Sequence, residues 1–388
     1  MPRMSTALPL DDASPLILGA GPAGLAVAAA LRQRGVASRV LEQAGAVGAS
    51  WRGHYARLHL HTVKTHSALP GLPFPDDAPR YVSRQGVVDY LERYAAHHGL
   101  QPFTGQRVTR VGREGAAWAV HTAAGPVWRG PAVVIATGAN RVPREPSLPG
   151  AAVFGGALLH SRAYRDAAPW AGRRVLVVGM GNTGAEIALD LAEGGAAVTL
   201  SVRSPVNIVR RDVLGRPTQL SSIALARLPP ALGHRLARWL RDWTVGDLSR
   251  WGLRQPAMSP LQQLREDGKT PVIDLGTVAA IRRGAIAVRP GIATLTATGV
   301  RFTDGREDPF DAVILATGYD AALTELLPDL PLDLDARGMP RAPVGSGPLA
   351  GLCFVGFDVR QPGGLLRTIG QQAEAVAAHL ARSLVAAA

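Results

Sequence analysis

Two glycine-rich loops carry the first recognisable chemistry in this 388-residue sequence. Gly19-Ala-Gly21-Pro22-Ala23-Gly24 follows a short apolar run, Pro15 to Gly19, and opens a helix-favouring stretch to Arg34. Its first glycine allows a tight turn, its second lets backbone approach a pyrophosphate, and its third permits close helix–sheet packing. The phosphates then meet a helix N-terminus, where free N–H groups and the helix dipole favour negative charge. Glu42, about 20 residues further on at the end of the next strand, is placed to accept hydrogen bonds from ribose hydroxyls, with Gln43 beside it. Gly179-Met-Gly181-Asn182-Thr183-Gly184 repeats the pattern, but its second strand ends in Ser201-Val-Arg203 instead of an acid. A carboxylate there would repel a 2′-phosphate, whereas a guanidinium fork pairs with it. This favours NADPH over NADH; the alternative is that Arg203 is one more arginine in an arginine-rich chain. Two dinucleotide sites imply hydride passed between two cofactors, most economically from NADPH to FAD.

The elements that must position these loops also come in duplicate. Pro15–Gly19 with Ser38–Leu41, and Arg174–Gly179 with Ala197–Arg203, each flank a helical stretch and read as βαβ units. A similar strand closes each unit: Ala132 to Gly138, containing Thr137, and Ala312 to Gly318. Between helix and closing strand lie short alternating strands, Arg107 to Trp128 and Ala285 to Asp304, the latter ending in an Asp-Gly turn signal. The fold expected is α/β: two nested Rossmann-like dinucleotide-binding domains of three layers with β-meander insertions. Residues 1–168 and 309–388 are assigned to FAD and residues 169–308 to NADPH, with a basic helical insertion at about 205–255. Apolar structure resumes at Leu352 to Gly356 and ends in a helical tail from Gly370 to Ala388. Linkers are expected at Arg141 to Gly150 and at Ala168 to Gly172.

Composition narrows the classes. With 47% apolar and 19% charged residues, a packed core is expected and wholesale disorder excluded. The single cysteine, Cys353, excludes an intramolecular disulfide, a CxxC redox centre and a thiolate-rich metal site. Net charge is +12, yet only Lys64 and Lys269 are lysines, so the charge reflects arginine usage more than a nucleic-acid surface. It is uneven: Arg203 to Arg254 holds ten arginines against three aspartates, with Trp239, Trp243 and Trp251 at spacings of 4 and 8. That segment reads either as a substrate-access cap or anion-facing surface, or as a helical insertion whose tryptophans pack inward and arginines face solvent. Met1 to Ser14 has no apolar secretory segment, and the longest apolar stretch, Gly24 to Leu31, is far short of the roughly 20 residues a bilayer requires. A cytoplasmic location without an integral membrane segment is expected.

The segment between the two units decides among flavoproteins. Phe154-Gly155-Gly156-Ala-Leu-Leu-His160-Ser-Arg-Ala-Tyr164 matches FxGxxxHxxxY. With Gly48-Ala-Ser-Trp51-Arg52, Arg57-Leu-His59-Leu-His61, Gly268-Lys-Thr-Pro-Val-Ile-Asp274 and Leu315-Ala-Thr-Gly-Tyr319, the chain resembles the class B flavin-dependent monooxygenases over nearly its whole length. Within the flavin-containing monooxygenases it is most similar to the YUCCA-type indole-3-pyruvate monooxygenases. Baeyer–Villiger relatives usually carry Trp where Tyr164 stands.

The resemblance implies that Gly19, Gly21, Pro22, Ala23 and Gly24 hold the FAD pyrophosphate, and Glu42 and Gln43 its ribose. Trp51 and Arg52 then lie beside the flavin, and Val108, Thr137 and Gly138 complete the FAD site. Gly179, Gly181, Asn182, Thr183 and Gly184 hold the NADPH pyrophosphate, and Arg203 its 2′-phosphate. His160 couples the domains structurally. His61 stands where animal-type members have an Asn near the reactive flavin edge, and is the catalytic candidate; alternatively His59 and His61 pack as i, i+2 strand residues under FAD. Without a third ligand the two are not a metal site. The implied chemistry is hydride transfer from NADPH to flavin, O2 addition at C4a, and transfer of oxygen from the (hydro)peroxyflavin to a small anionic or aromatic substrate. A deprotonated peroxide attacks a carbonyl, so oxidative decarboxylation of an aryl 2-oxo acid such as indole-3-pyruvate leads. N- or S-oxygenation of an amine or sulfide, or an NADPH-dependent flavin reductase serving a protein partner, are the alternatives.

Overall fold

The computed structural model describes residues 12–387. Met1 to Asp11, on which most of the N-terminal reading rests, and Ala388, the end of the expected helical tail, lie outside the described residues. The first glycine loop leaves a four-stranded parallel sheet in the order Arg39–Leu41, Leu16–Leu18, Val133–Ile135, Leu352–Phe354. All four strands are fully buried, as expected where both faces of a parallel sheet are covered. Helix Pro22–Gln33 starts with proline at N1, where its missing N–H costs nothing, and packs along helix Leu365–Ala387. Its alanines at 26, 28, 29 and 30 keep that approach close, while Leu25, Val27 and Leu31 fill the core.

The second loop leaves a five-stranded parallel sheet, ordered Ile286–Arg289, Ala197–Ser201, Arg174–Val178, Ala312–Leu315, Ala157–His160. Two of these strands, 157–160 and 312–315, lie outside the 169–308 span expected for this unit. The chain passes between the sheets at a short antiparallel ribbon, in which Val142–Pro143 pairs with Tyr319–Asp320. The expected linker at Arg141 to Gly150 includes this ribbon. The one at Ala168 to Gly172 joins two strands of the second sheet instead. We propose the exchange between units at the ribbon. Each unit carries a three-stranded antiparallel meander, 108–130 and 292–309.

The basic insertion is helical at Thr218–Leu225 and Pro230–Val245. The inward-tryptophan reading fails for two of the three. Trp239 and Trp243 are 61% and 57% exposed and stack on each other with centroids 5.7 Å apart. The inward face is Gly233, Ala237, Arg241 and Val245. Gly233 is required there, because a Cβ would meet the Leu225 carbonyl oxygen at 2.7 Å. Spacing by four fits both faces equally, and side-chain hydrophobicity points to the wrong one. Trp251 alone is half-buried, flanked by the guanidinium groups of Arg250 and Arg282. Among the described residues no helix is long and apolar enough to cross a membrane.

Candidate active site

The two glycine loops have the same stereochemistry. Gly19 and Gly179 take φ of 109° and 101°, and a Cβ on either would strike the carbonyl oxygen of Ala136 or Ala316 at 2.6 or 2.7 Å. Each therefore lies against its closing strand. Gly24 and Gly184 sit over the first glycine's carbonyl so closely that a Cβ would fall 1.8 or 2.0 Å from that oxygen. Gly21 and Gly181 have nothing within 4 Å of where a Cβ would stand. They cap helices Pro22–Gln33 and Asn182–Glu193 with no side-chain hydrogen bond. An uncapped helix start facing open space is what a phosphate occupies. Gly138 and Gly318 repeat the correspondence, with φ of 86° and 87° and open space around both. Beside Gly138, the Thr137 hydroxyl is buried without a hydrogen-bond partner. These features fit one dinucleotide in each loop.

Around them the other expected residues fall as follows. Pro22 and Ala23 form the first helical turn; Thr183 is the corresponding half-buried residue of the second. Glu42 is buried, its Oε2 accepting from the Ala20 N–H at 2.7 Å and its Oε1 from the Ala44 N–H at 2.9 Å. It thus fastens the glycine loop to the second strand, and each oxygen keeps a further lone pair for a sugar hydroxyl. Gln43 is exposed next to it. Trp51 packs half-buried on the first core, in a short helix tied to the loop by the Gly48 N–H on the Ala20 carbonyl. Arg52 points outward and pairs with Glu92. Val108 opens the first meander. Asn182 donates to the Pro271 carbonyl at 3.2 Å and accepts from the Ile273 N–H at 2.7 Å, joining the second loop to the Thr-Pro-Val-Ile segment. Arg203 is exposed, makes no ion pair among the described residues, and has the Arg254 guanidinium on its own carbonyl at 3.1 Å.

The residues missed from sequence lie on helix Asn182–Glu193. Glu186, 2% exposed, accepts from the Tyr55 hydroxyl at 2.8 Å and binds Nε2 of His61. One turn on, Asp190 accepts from the Tyr164 hydroxyl at 2.6 Å, and Arg57 pairs with Asp190 and Glu193. The segment from Tyr55 to His61 thus grips one acidic face of the helix that follows the second glycine loop. Burial, then the Glu186 charge and hydrogen bond, push the Tyr55 hydroxyl well above its ordinary range; burial and Asp190 do the same to Tyr164. Both phenols stay protonated donors. A signal for this was present: a glutamate inside Ala185-Glu186-Ile187-Ala188-Leu189 is a charge on a buried face, which requires a partner.

His61 is half-buried, with Nδ1 free of protein partners among the described residues. His59 is exposed, bonded through Nδ1 to the Arg57 carbonyl at 2.6 Å, so the two histidines do not share a site. His160 accepts at Nδ1 from the Arg162 N–H, which leaves Nε2 to donate to the Gly318 carbonyl, both at 3.1 Å. Burial holds its pKa below the ordinary value, although the Gly318 bond works against this. A neutral His160 thus fastens the linker to the second closing strand. Cys353 is buried in the first sheet and its thiol is pushed up to about 12, which leaves it unreactive.

A cavity of about 540 Å³ opens beside His61 and Asn182, roofed by the helical insertion and floored by residues 358–365. Gln219, from the insertion, closes it: its amide accepts from the Val63 N–H at 2.7 Å and donates to the Gly363 carbonyl at 2.5 Å.

Residues 16–224 match the family described as pyridine nucleotide-disulphide oxidoreductase. The chain is 39% identical over 359 residues to indole-3-pyruvate monooxygenase YUCCA1 of Oryza sativa subsp. japonica, covering 91% of this chain and 88% of the rice protein. It is 38% identical over 352 residues to probable indole-3-pyruvate monooxygenase YUCCA4 of Arabidopsis thaliana, covering 89% and 85%. Among solved structures, flavin-containing monooxygenase from Stenotrophomonas maltophilia superposes with a TM-score of 0.73 at 25% identity, over 97% of this chain and 99% of that one. A bacillithiol disulfide reductase from Staphylococcus aureus shares the fold at 15% identity and TM-score 0.69, over 96% and 99%. The paired glycine loops, the FxGxxxHxxxY linker and these likenesses agree: the chain belongs to the flavin monooxygenases, as an FAD-dependent NADPH monooxygenase of the group that includes the YUCCA enzymes.

Proposed function

We propose that the enzyme oxidatively decarboxylates an aryl 2-oxo acid such as indole-3-pyruvate. In balance, the 2-oxo acid, O2, NADPH and a proton give the arylacetate, CO2, water and NADP+. FAD, when bound, would supply the hydride-accepting and O2-activating chemistry; the protein supplies position, dryness and proton control. The first glycine loop, with Glu42, Gln43, Val108, Thr137 and Gly138, holds FAD, with Trp51 and Arg52 beside it. The second loop holds the NADPH pyrophosphate and Arg203 its 2′-phosphate.

The observation that carries the substrate class is the cavity wall. It presents Arg210, Arg211, Arg241, Lys269 and Arg337 against one carboxylate, Asp358, and is otherwise built from aliphatic and neutral polar residues. Such a chamber favours an anion with an apolar body over a cationic amine. His61 borders it. Glu186 engages Nε2, which leaves Nδ1 as the ring nitrogen able to meet a ligand. Purified holoenzyme given NADPH, O2 and indole-3-pyruvate should form indole-3-acetate. NADPH oxidation without that product rejects the reading, and an N- or S-oxide from an amine or sulfide panel would replace it.

A further inference from the structure

Helix Pro230–Val245 is built inside out: two tryptophans face solvent while Arg241, only 5% exposed, lies inward on the cavity wall. Burying a guanidinium is costly unless its five N–H groups find acceptors. Most do. Nε donates to Asp242 at 2.8 Å, and Nη1 to Asn207 Oδ1 at 2.7 Å and to the Pro256 and Met258 carbonyls at 3.0 and 3.3 Å. Nη2 has no hydrogen-bond partner among the described residues and is not among the atoms sealed away from solvent. Asn207 is itself held by Gln263 at 3.0 Å, so the guanidinium plane is fixed before any ligand arrives.

We propose that Arg241 is the anchor for the substrate carboxylate, its Nη2 edge making the charge-assisted hydrogen bonds that select an acid over its neutral analogues. Around it, Ala237 and Leu240 from the same helix and Leu261 and Leu264 from the next offer apolar surface to an aryl body. The other cavity cations differ. Arg210, Lys269 and Arg337 are exposed, and Arg211 is only half-buried, with its Nε alone held, by Asp212 at 3.4 Å. Arg241 alone combines burial, fixed orientation and an unsatisfied donor edge.

This inference rests on the 2-oxo acid reading only for the identity of the acid, and binding tests it separately. Indole-3-acetate and indole-3-acetamide, titrated into the oxidised holoenzyme and followed by flavin absorbance, are the probes. The acid should bind about 10–100-fold more tightly than the amide, and Arg241→Met should remove most of that preference while leaving the amide's affinity within about threefold. Arg241→Lys keeps the charge without the fork, so it should recover part of the preference if Arg241→Met proves too unstable to titrate. In turnover the loss should appear in KM for indole-3-pyruvate more than in kcat. Equal binding of acid and amide to the wild type, or an unchanged preference in a folded, FAD-loaded Arg241 variant, overturns the proposal. Failure of the wild type to convert any 2-oxo acid, with the probe preference intact, rejects the reaction and leaves the anchor standing.

Discussion

The His61 ring and the Glu186 carboxylate meet across the two halves of the enzyme, the ring from the segment beside the first glycine loop, the acid two residues past the second. The same carboxylate accepts the Tyr55 hydroxyl. The helix proposed to receive the NADPH phosphates at its start therefore also holds Nε2 of the histidine at the cavity wall. The position of His61 is coupled to helix Asn182–Glu193 through one buried acid.

Replacing that acid by its amide tests the coupling. Glu186→Gln keeps the shape but removes the charge that favours a proton on Nε2. NADPH oxidation should continue, while the fraction of NADPH converted to oxygenated product falls about tenfold or more and hydrogen peroxide rises to match. Glu186→Ala should in addition lower stability by about 1–3 kcal/mol, because the buried Tyr55 hydroxyl loses its acceptor. Parallel assays of NADPH, product and peroxide, with denaturant melts, check both.

The glycines divide into two kinds with opposite consequences. Gly184→Ala places a methyl 2.0 Å from the Gly179 carbonyl oxygen and should destabilise the second unit severely. Gly181→Ala meets nothing in the chain itself and should fold normally, yet raise KM for NADPH about tenfold or more by filling the pyrophosphate cradle. Thermal melts beside NADPH titrations separate the two. Similar losses of stability in both would show that the space at Gly181 is not a ligand site.

Arg203 is exposed and makes no ion pair among the described residues. Arg203→Gln should reduce the kcat/KM ratio of NADPH to NADH about 10–100-fold, chiefly through KM for NADPH. An unchanged ratio would assign the 2′-phosphate elsewhere.

His160 links stability to pH. Its folded pKa lies below the ordinary value of about 6.5, so the unfolded chain takes up its proton first as pH falls. The stability His160 contributes is therefore complete above about pH 6.5 and is lost as pH falls below that toward the lower folded value. His54, lowered by burial and by Arg162 and Arg165, acts in the same direction. His160→Gln should give a shallower decline of stability as pH falls below about 6.5 in denaturant titrations. An identical slope would exclude His160 as a source of it.

Much of this was legible in the residues because the signals are local. Glycines within six positions, a proline at a helix start and unbroken apolar strands dictate two tight strand-to-helix turns on parallel sheets, and both are present. The edge of the second sheet was not legible. Strand 157–160 looks like part of a linker until it pairs with 312–315, a contact between residues far apart in sequence. The Tyr55–His61 grip on Glu186 was hidden for the same reason, although a lone acid in a buried helix face announced that some partner existed. Helix 230–245 misled because amphipathic reasoning assigns tryptophan inward and arginine outward, whereas Asn207, Asp242 and the Pro256 and Met258 carbonyls hold Arg241 inward.

The central claim is that oxygen reaches the carbonyl carbon of an acid held in this cavity. The most direct measurement gives holoenzyme limiting NADPH, excess O2 and indole-3-pyruvate labelled at its carboxyl carbon, and counts labelled CO2, indole-3-acetate and hydrogen peroxide per NADPH consumed. CO2 and indole-3-acetate are expected in equal amounts, approaching one of each per NADPH, with little peroxide. NADPH consumed with peroxide as the main product, and no labelled CO2 above a control without enzyme, would contradict it.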